Sequence, residues 1–191
     1  MKRSLTLWQA AGFVFTGIMG VVLHFLFDWT GGNIAVSFFS AVNESIWEHT
    51  KLLFFPMLIF AFVQKKYIGN NYTDFCCIKL FGMLKAIGGT IVLYYTINGV
   101  FGKTPDWINI AMFFVVDFLV YYTETVNLRK KKICSLSTKT VTLILIFVVL
   151  IYVWFTFYPP QIPLFRDPVT GTYGYYRQYQ TILLDNLIKI M

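Results

Sequence analysis

Glu44, Glu48, His49 and Lys51 fall within one short run, Asn43-Glu44-Ser45-Ile46-Trp47-Glu48-His49-Thr50-Lys51, and His24 and Asp28 precede them four positions apart. Imidazole nitrogens and carboxylate oxygens are the donors that Zn²⁺, Mn²⁺ and Fe²⁺ accept, and a metal with an open position activates water. His24, Asp28, Glu44, Glu48 and His49 are therefore candidate ligands for a divalent metal ion. The motif is not a standard one: H-E-x-x-H is absent, and Glu48 and His49 are adjacent, about 100° apart on a helix. Without a metal, carboxylates at i and i+4 can share a proton, one acting as acid while the other stays ionised as base. On either chemistry Glu44, Glu48, His49 and His24 are the catalytic candidates, with Asp28, Asn43, Ser40, Asp117 and Lys51 as substrate-binding or orienting groups.

These residues are set in a chain built for lipid. Of its 191 positions 57% are hydrophobic and 13% charged, and the mean hydropathy is +0.63, too apolar for a soluble domain of this length. An acid or base at the bilayer centre costs roughly 2.5 to 3.5 kcal/mol on insertion scales, so such groups should face a partner, a cavity or an ion. About 20 apolar residues cross the hydrocarbon, and only helices satisfy their own backbone there. The expected fold is an all-α transmembrane bundle of about five spans. The spans are Leu5 to Trp29, a segment between Asn33 and Val63, Phe75 to Val100, Trp107 to Tyr122 and Thr140 to Phe157.

Lys2 and Arg3, then Lys65 and Lys66, then Arg129 to Lys132 with Lys139, alternate with loops nearly free of base. The positive-inside rule then puts the N-terminus inside and the C-terminus outside. The same short clusters, which are the pattern of cytoplasmic loops, argue that the net charge of +7 serves the membrane and not a nucleic acid. The partner expected is the lipid bilayer. Cys76, Cys77 and Cys134 map to the cytoplasmic side in no zinc-like spacing, so no disulfide is expected.

The second span allows two parses. Asn33, Ser37, Ser40, Glu44, Glu48 and Lys51 are spaced 4, 3, 4, 4 and 3, a single polar stripe if one helix runs through them. Such a helix, from Asn33 to Val63, would be about 46 Å long and would have to tilt or kink near Pro56. The competing parse starts the helix at Asn43 or Ser45, because Ser45-Ile46-Trp47-Glu48 fits the S-x-x-E capping box. The longer stripe favours the continuous helix. In the first span Thr16, Gly20, His24 and Asp28 share a face, and the tight Gly31-Gly32 link makes the two helices antiparallel neighbours. Asp106, Asp117, Tyr121 and Glu124 share a face of the fourth span, and Lys51 and Lys85 are the available counter-charges.

Beyond the fifth span, Tyr158-Pro159-Pro160 and Asp167-Pro168-Val169-Thr170-Gly171 read as turns on the outer face. An ordinary surface loop is favoured over a lid bringing Arg166, Asp167 and Tyr173 to the polar cluster. Residues 1–174 form one transmembrane domain, and 175–191, with Leu183, Leu184 and Ile188 interrupted by Asp185 and Lys189, an interfacial amphipathic tail.

The segments His24-Phe25-Leu26-Phe27-Asp28-Trp29 and Phe39 to Leu52, with Pro159-Pro160 and Asp167 to Gly174, resemble an uncharacterised bacterial family of small multi-spanning membrane proteins. That family is a domain of unknown function. The resemblance implies a bacterial inner-membrane location and a single domain without internal repeats; it carries no activity, substrate or cofactor. The tail after Gly174 is longer than the family pattern. Three readings of the polar site remain: a membrane-embedded enzyme or binding protein for a membrane-accessible substrate, a small proton- or cation-coupled transporter or channel subunit, and a polar cluster that only locks the bundle.

Overall fold

The computed structural model describes residues 2–130 and 134–175. It is all-helical, apart from an isolated bridge between Arg166 and Tyr173. Among the described residues six α-helices follow in order up to Phe157: α1 Lys2–Trp29, α2 Ile34–Ser37, α3 Ile46–Tyr67, α4 Phe75–Phe101, α5 Asp106–Leu128 and α6 Thr138–Phe157. All except the four-residue α2 are long and apolar enough to cross a membrane, which gives five candidate spans. The tail assigned to residues 175–191 lies, after Tyr175, outside the described residues.

Named contacts fix how the helices run. Gln9 near the start of α1, Gln64 near the end of α3, Lys79 in the first turns of α4 and Glu124 near the end of α5 meet in one cluster. Neighbours α1 and α3, α3 and α4, and α4 and α5 are therefore antiparallel. Helix α6 runs parallel to α4, since Cys77, Leu80 and Val141 pack together at their first turns. In lipid the apolar effect gives helices little reason to associate, so close packing and interhelical hydrogen bonds carry the bundle. Phe54, Met57, Met83, Val116 and Tyr152 form the central contact, and two hydroxyl pairs cross it: Thr50 with Tyr152 at 2.8 Å and Thr16 with Tyr121 at 3.0 Å. The small-residue face of α1 admits α5, for a Cβ on Gly20 would stand 2.5 Å from the Phe113 ring.

The continuous helix through the polar stripe does not form. Helix α1 ends at Trp29, and Gly31 and Gly32 after it, both at positive φ, close the last turn as glycine readily allows. Asn33 then caps the single turn of α2, and residues 38–45 leave the helix before α3 begins at Ile46. The capping parse describes α3. Ser45 Oγ accepts from the Glu48 N–H at 3.4 Å, and Asn43 Oδ1 accepts from the Ser45 N–H at 2.9 Å. Short polar side chains that bond their own backbone stop a helix more effectively than their spacing can extend one. Helix α5 continues to Leu128, past the Tyr122 boundary, and so takes in Glu124.

A second correction concerns the thiols. Cys77 and Cys134 are joined in a disulfide with Cα atoms 6.3 Å apart, and Cys76 is free. The bond ties the chain entering α6 to the first turn of α4, and Asp74 Oδ2 accepts from the Cys134 N–H beside it at 3.1 Å.

Candidate functional site

The early start of α3 decides where its polar residues go. Glu44 is the residue before the cap, so its side chain projects from the loop and remains 46% exposed. One turn into the helix, His49 Nδ1 lies 2.9 Å from the Ser45 carbonyl oxygen. A carbonyl only accepts, so Nδ1 carries a hydrogen, and Nε2 is the ring nitrogen turned toward Glu44. That Nε2 stands 3.4 Å from Glu44 Oε2, and His24 Nε2, from the last turns of α1, stands 3.7 Å from Glu44 Oε1. The donor atoms of His24, Glu44 and His49 all lie within 4.8 Å of one another.

His49 Nε2 and a Glu44 carboxylate oxygen face each other across 3.4 Å, with room for a positive partner between them. A proton or a cation serves. Ligands held at 2.0–2.2 Å around a tetrahedral metal are roughly 3.4 Å apart, close to the distance from each imidazole to its nearer Glu44 oxygen. The Ser45 carbonyl holds the ring plane of His49, as a carbonyl behind a metal-bound imidazole does. His24 Nδ1 is buried with no hydrogen-bond partner among the described residues.

The other expected site residues go elsewhere. Glu48 turns inward, where its Oε2 accepts from Lys51 Nζ at 2.6 Å and from the Val42 N–H at 3.1 Å. Lys51, fully buried, also donates to the carbonyls of Ser37 and Ser40 and to Thr156 Oγ1. This closed network clasps the 37–42 segment and the end of α6 onto α3. Ser40 Oγ donates to the Leu23 carbonyl, so Ser40 serves the same clasp, and Asn43 serves the turn. Asp28 is exposed one turn beyond His24. Asp117 is fully buried on α5, and neither carboxylate oxygen has a hydrogen-bond partner among the described residues.

A second buried network lies at the opposite end. Lys79 pairs with Glu124 at 2.5 Å, Gln9 bridges both, and Gln64 donates to Gln9 Oε1 at 2.9 Å. Lys85, expected as a counter-charge, is exposed instead. A signal for the true pair was present: Lys79 stands about as far from the start of α4 as Glu124 from the end of α5, which antiparallel packing brings level. Gly82 makes room, for a Cβ there would collide with the Glu124 carboxylate.

The segment after α6 packs onto the bundle end that carries α2. Tyr175 OH donates to the Gly32 carbonyl at 3.0 Å and its ring meets Phe27, while Phe165 meets Trp47. Asp167 is consumed in its own turn, accepting from the N–H groups of Val169 and Thr170.

An all-helical bundle with five helices apolar and long enough to span defines a class compatible with multi-pass membrane proteins. Residues 1–175 match the family of unknown function DUF6512, and the chain belongs to that family. No curated protein and no solved structure matches it.

Proposed function

We propose that this is a multi-pass protein of a cell membrane, of the bacterial cytoplasmic type, with its N-terminus inside and one transmembrane domain over residues 1–174. At the outer end His24, Glu44 and His49 hold a divalent transition metal. The convergence of three donor atoms within 4.8 Å supports this reading most strongly. A two-histidine, one-carboxylate set suits Zn²⁺ and also Fe²⁺ or Mn²⁺. Three protein ligands leave a position for water or substrate, and a metal there would supply a nucleophilic hydroxide near neutral pH.

The chain's own residues set the rest. Exposed Phe25 and Trp29 flank His24 on α1, as aromatic side chains do at a membrane–water interface, so the substrate class is one that reaches the site along the bilayer surface. Asp28 is available as a carboxylate base one turn from His24. Glu48, Lys51, Ser40 and Asn43 act as positioning residues that hold the loop bearing Glu44. Elemental mass spectrometry of the detergent-purified protein tests the site. The expected result is close to one metal per chain, lost in Glu44→Gln and His49→Ala variants whose circular dichroism is unchanged. A folded wild type that takes up no metal would defeat the reading.

A proton- or cation-coupled carrier is the second reading, favoured by Asp117, a fully buried carboxyl with no partner among the described residues. Proton or cation flux in proteoliposomes that Asp117→Asn abolishes would establish it.

A further inference from the structure

Two cavities at the basic end of the bundle adjoin each other. The first, about 270 Å³, is an apolar crevice between α3, α4 and α6, lined by Leu58, Ala61, Met83, Leu145 and Val149 among others. The second, about 190 Å³, is polar and lies beyond its end, lined by Asn70, Tyr72, Thr73 and Asp74. Lys65, Phe75, Cys76 and Thr138 line both, so the two are limbs of one cleft with an apolar shaft and a polar head. Together they fall within the usual range for ligand sites, roughly 300–1,000 Å³.

The charge at the junction favours an anion. Lys65 is exposed and makes no ion pair among the described residues, whereas the Lys79 ammonium, deeper in the shaft, is already matched by Glu124. Helices α4 and α6 begin at Phe75 and Thr138, so the positive ends of two helix dipoles meet the polar limb. Asp74 is the opposing charge, and it accepts from the Cys134 N–H. The Cys77–Cys134 bond fixes that wall.

We infer that this cleft binds one anionic phospholipid, with an acyl chain in the apolar limb and the headgroup phosphate beside Lys65. The inference rests on the membrane location proposed above and is independent of the metal. A lipid satisfies both limbs at once, whereas a free phosphate would leave the shaft empty.

The test is native mass spectrometry of delipidated protein titrated with phosphatidylglycerol or phosphatidylcholine of identical chains. The wild type should prefer phosphatidylglycerol by about five-fold, the factor one lysine supplies near an anionic surface. Lys65→Gln should erase the preference, Ala61→Trp should weaken binding of both lipids by filling the shaft, and Lys103→Gln, in the loop between α4 and α5, should change neither. Equal binding of the two lipids by the wild type, a preference that survives Lys65→Gln, or a second copy of the chain occupying the cleft would overturn the inference. Recovery in carbonate-washed membranes, scored separately, tells failure of the membrane reading from failure of the lipid site.

Discussion

Glu44 and Glu48 are one helical turn apart in sequence and have opposite fates. Glu48 is buried with Lys51, and that ammonium is met by four acceptors: the Glu48 carboxylate, the carbonyls of Ser37 and Ser40 and the Thr156 hydroxyl. Glu44 is half exposed between two imidazole nitrogens, 3.7 and 3.4 Å from its oxygens. A buried ion pair whose hydrogen bonds are complete has little left to give a ligand, and breaking it leaves an uncompensated charge. Donors that converge but lack a shared partner can bind one. The difference separates a closed clasp from an open group of donors within a single turn of chain.

The sharpest way to break this comparison is through the closed pair. Lys51→Met strands Glu48 in the core and should cost about 3–5 kcal/mol, read as a lowered midpoint of unfolding in detergent. The double variant Lys51→Met, Glu48→Leu should recover much of that loss, because a matched apolar pair leaves no stranded charge. If the single variant is as stable as wild type, the clasp is not what holds the loop.

Gly82→Ala probes the second closed network at smaller scale. Its methyl displaces the Glu124 carboxylate, so an overpacking cost of about 1–3 kcal/mol is expected in the same unfolding assay. Glu44→Gln, by contrast, should lie within about 0.5 kcal/mol of wild type when no metal is present, as exposed substitutions do. Acidification should release metal from the wild type, since imidazole ligands must shed their protons to bind, and metal retained at a pH where free histidine is fully protonated would count against imidazole ligation.

Much of the bundle was legible. Apolar runs gave the five spans to within a few residues at most ends, because lipid permits few alternatives to a helix. The polar stripe misled for a definite reason: a spacing of threes and fours means one face only where the backbone is helical, and Asn33, Asn43 and Ser45 bond the local backbone instead. The capping box carried the correct boundary in four residues. His24, Glu44 and His49 were legible as donor types, but their meeting depends on how the 38–45 segment returns across the end of α1, which no periodicity records. Lys79 rather than Lys85 pairs with Glu124 because it lies level with it in the antiparallel α4–α5 pair, a signal that helix spacing alone did not use. The Cys77–Cys134 bond was not legible, because no spacing in the sequence shows that the chain entering α6 returns to the first turn of α4. Maleimide labelling of denatured protein should modify one cysteine before reduction and all three after it.

If the open cluster binds a metal while the closed pair only supports the loop, the two respond differently to Zn²⁺. Thermal unfolding of purified protein, with a chelator and then with excess Zn²⁺, measures both at once. Metal at one hundred times its dissociation constant stabilises the folded state by about 2.7 kcal/mol, so the wild-type midpoint should rise with Zn²⁺. Glu44→Gln should match wild type in chelator and gain nothing from Zn²⁺, whereas Lys51→Met should start lower. A Glu44→Gln variant that unfolds as early as Lys51→Met in chelator, beside a wild type indifferent to Zn²⁺, would contradict the account and make His24, Glu44 and His49 one more structural clasp.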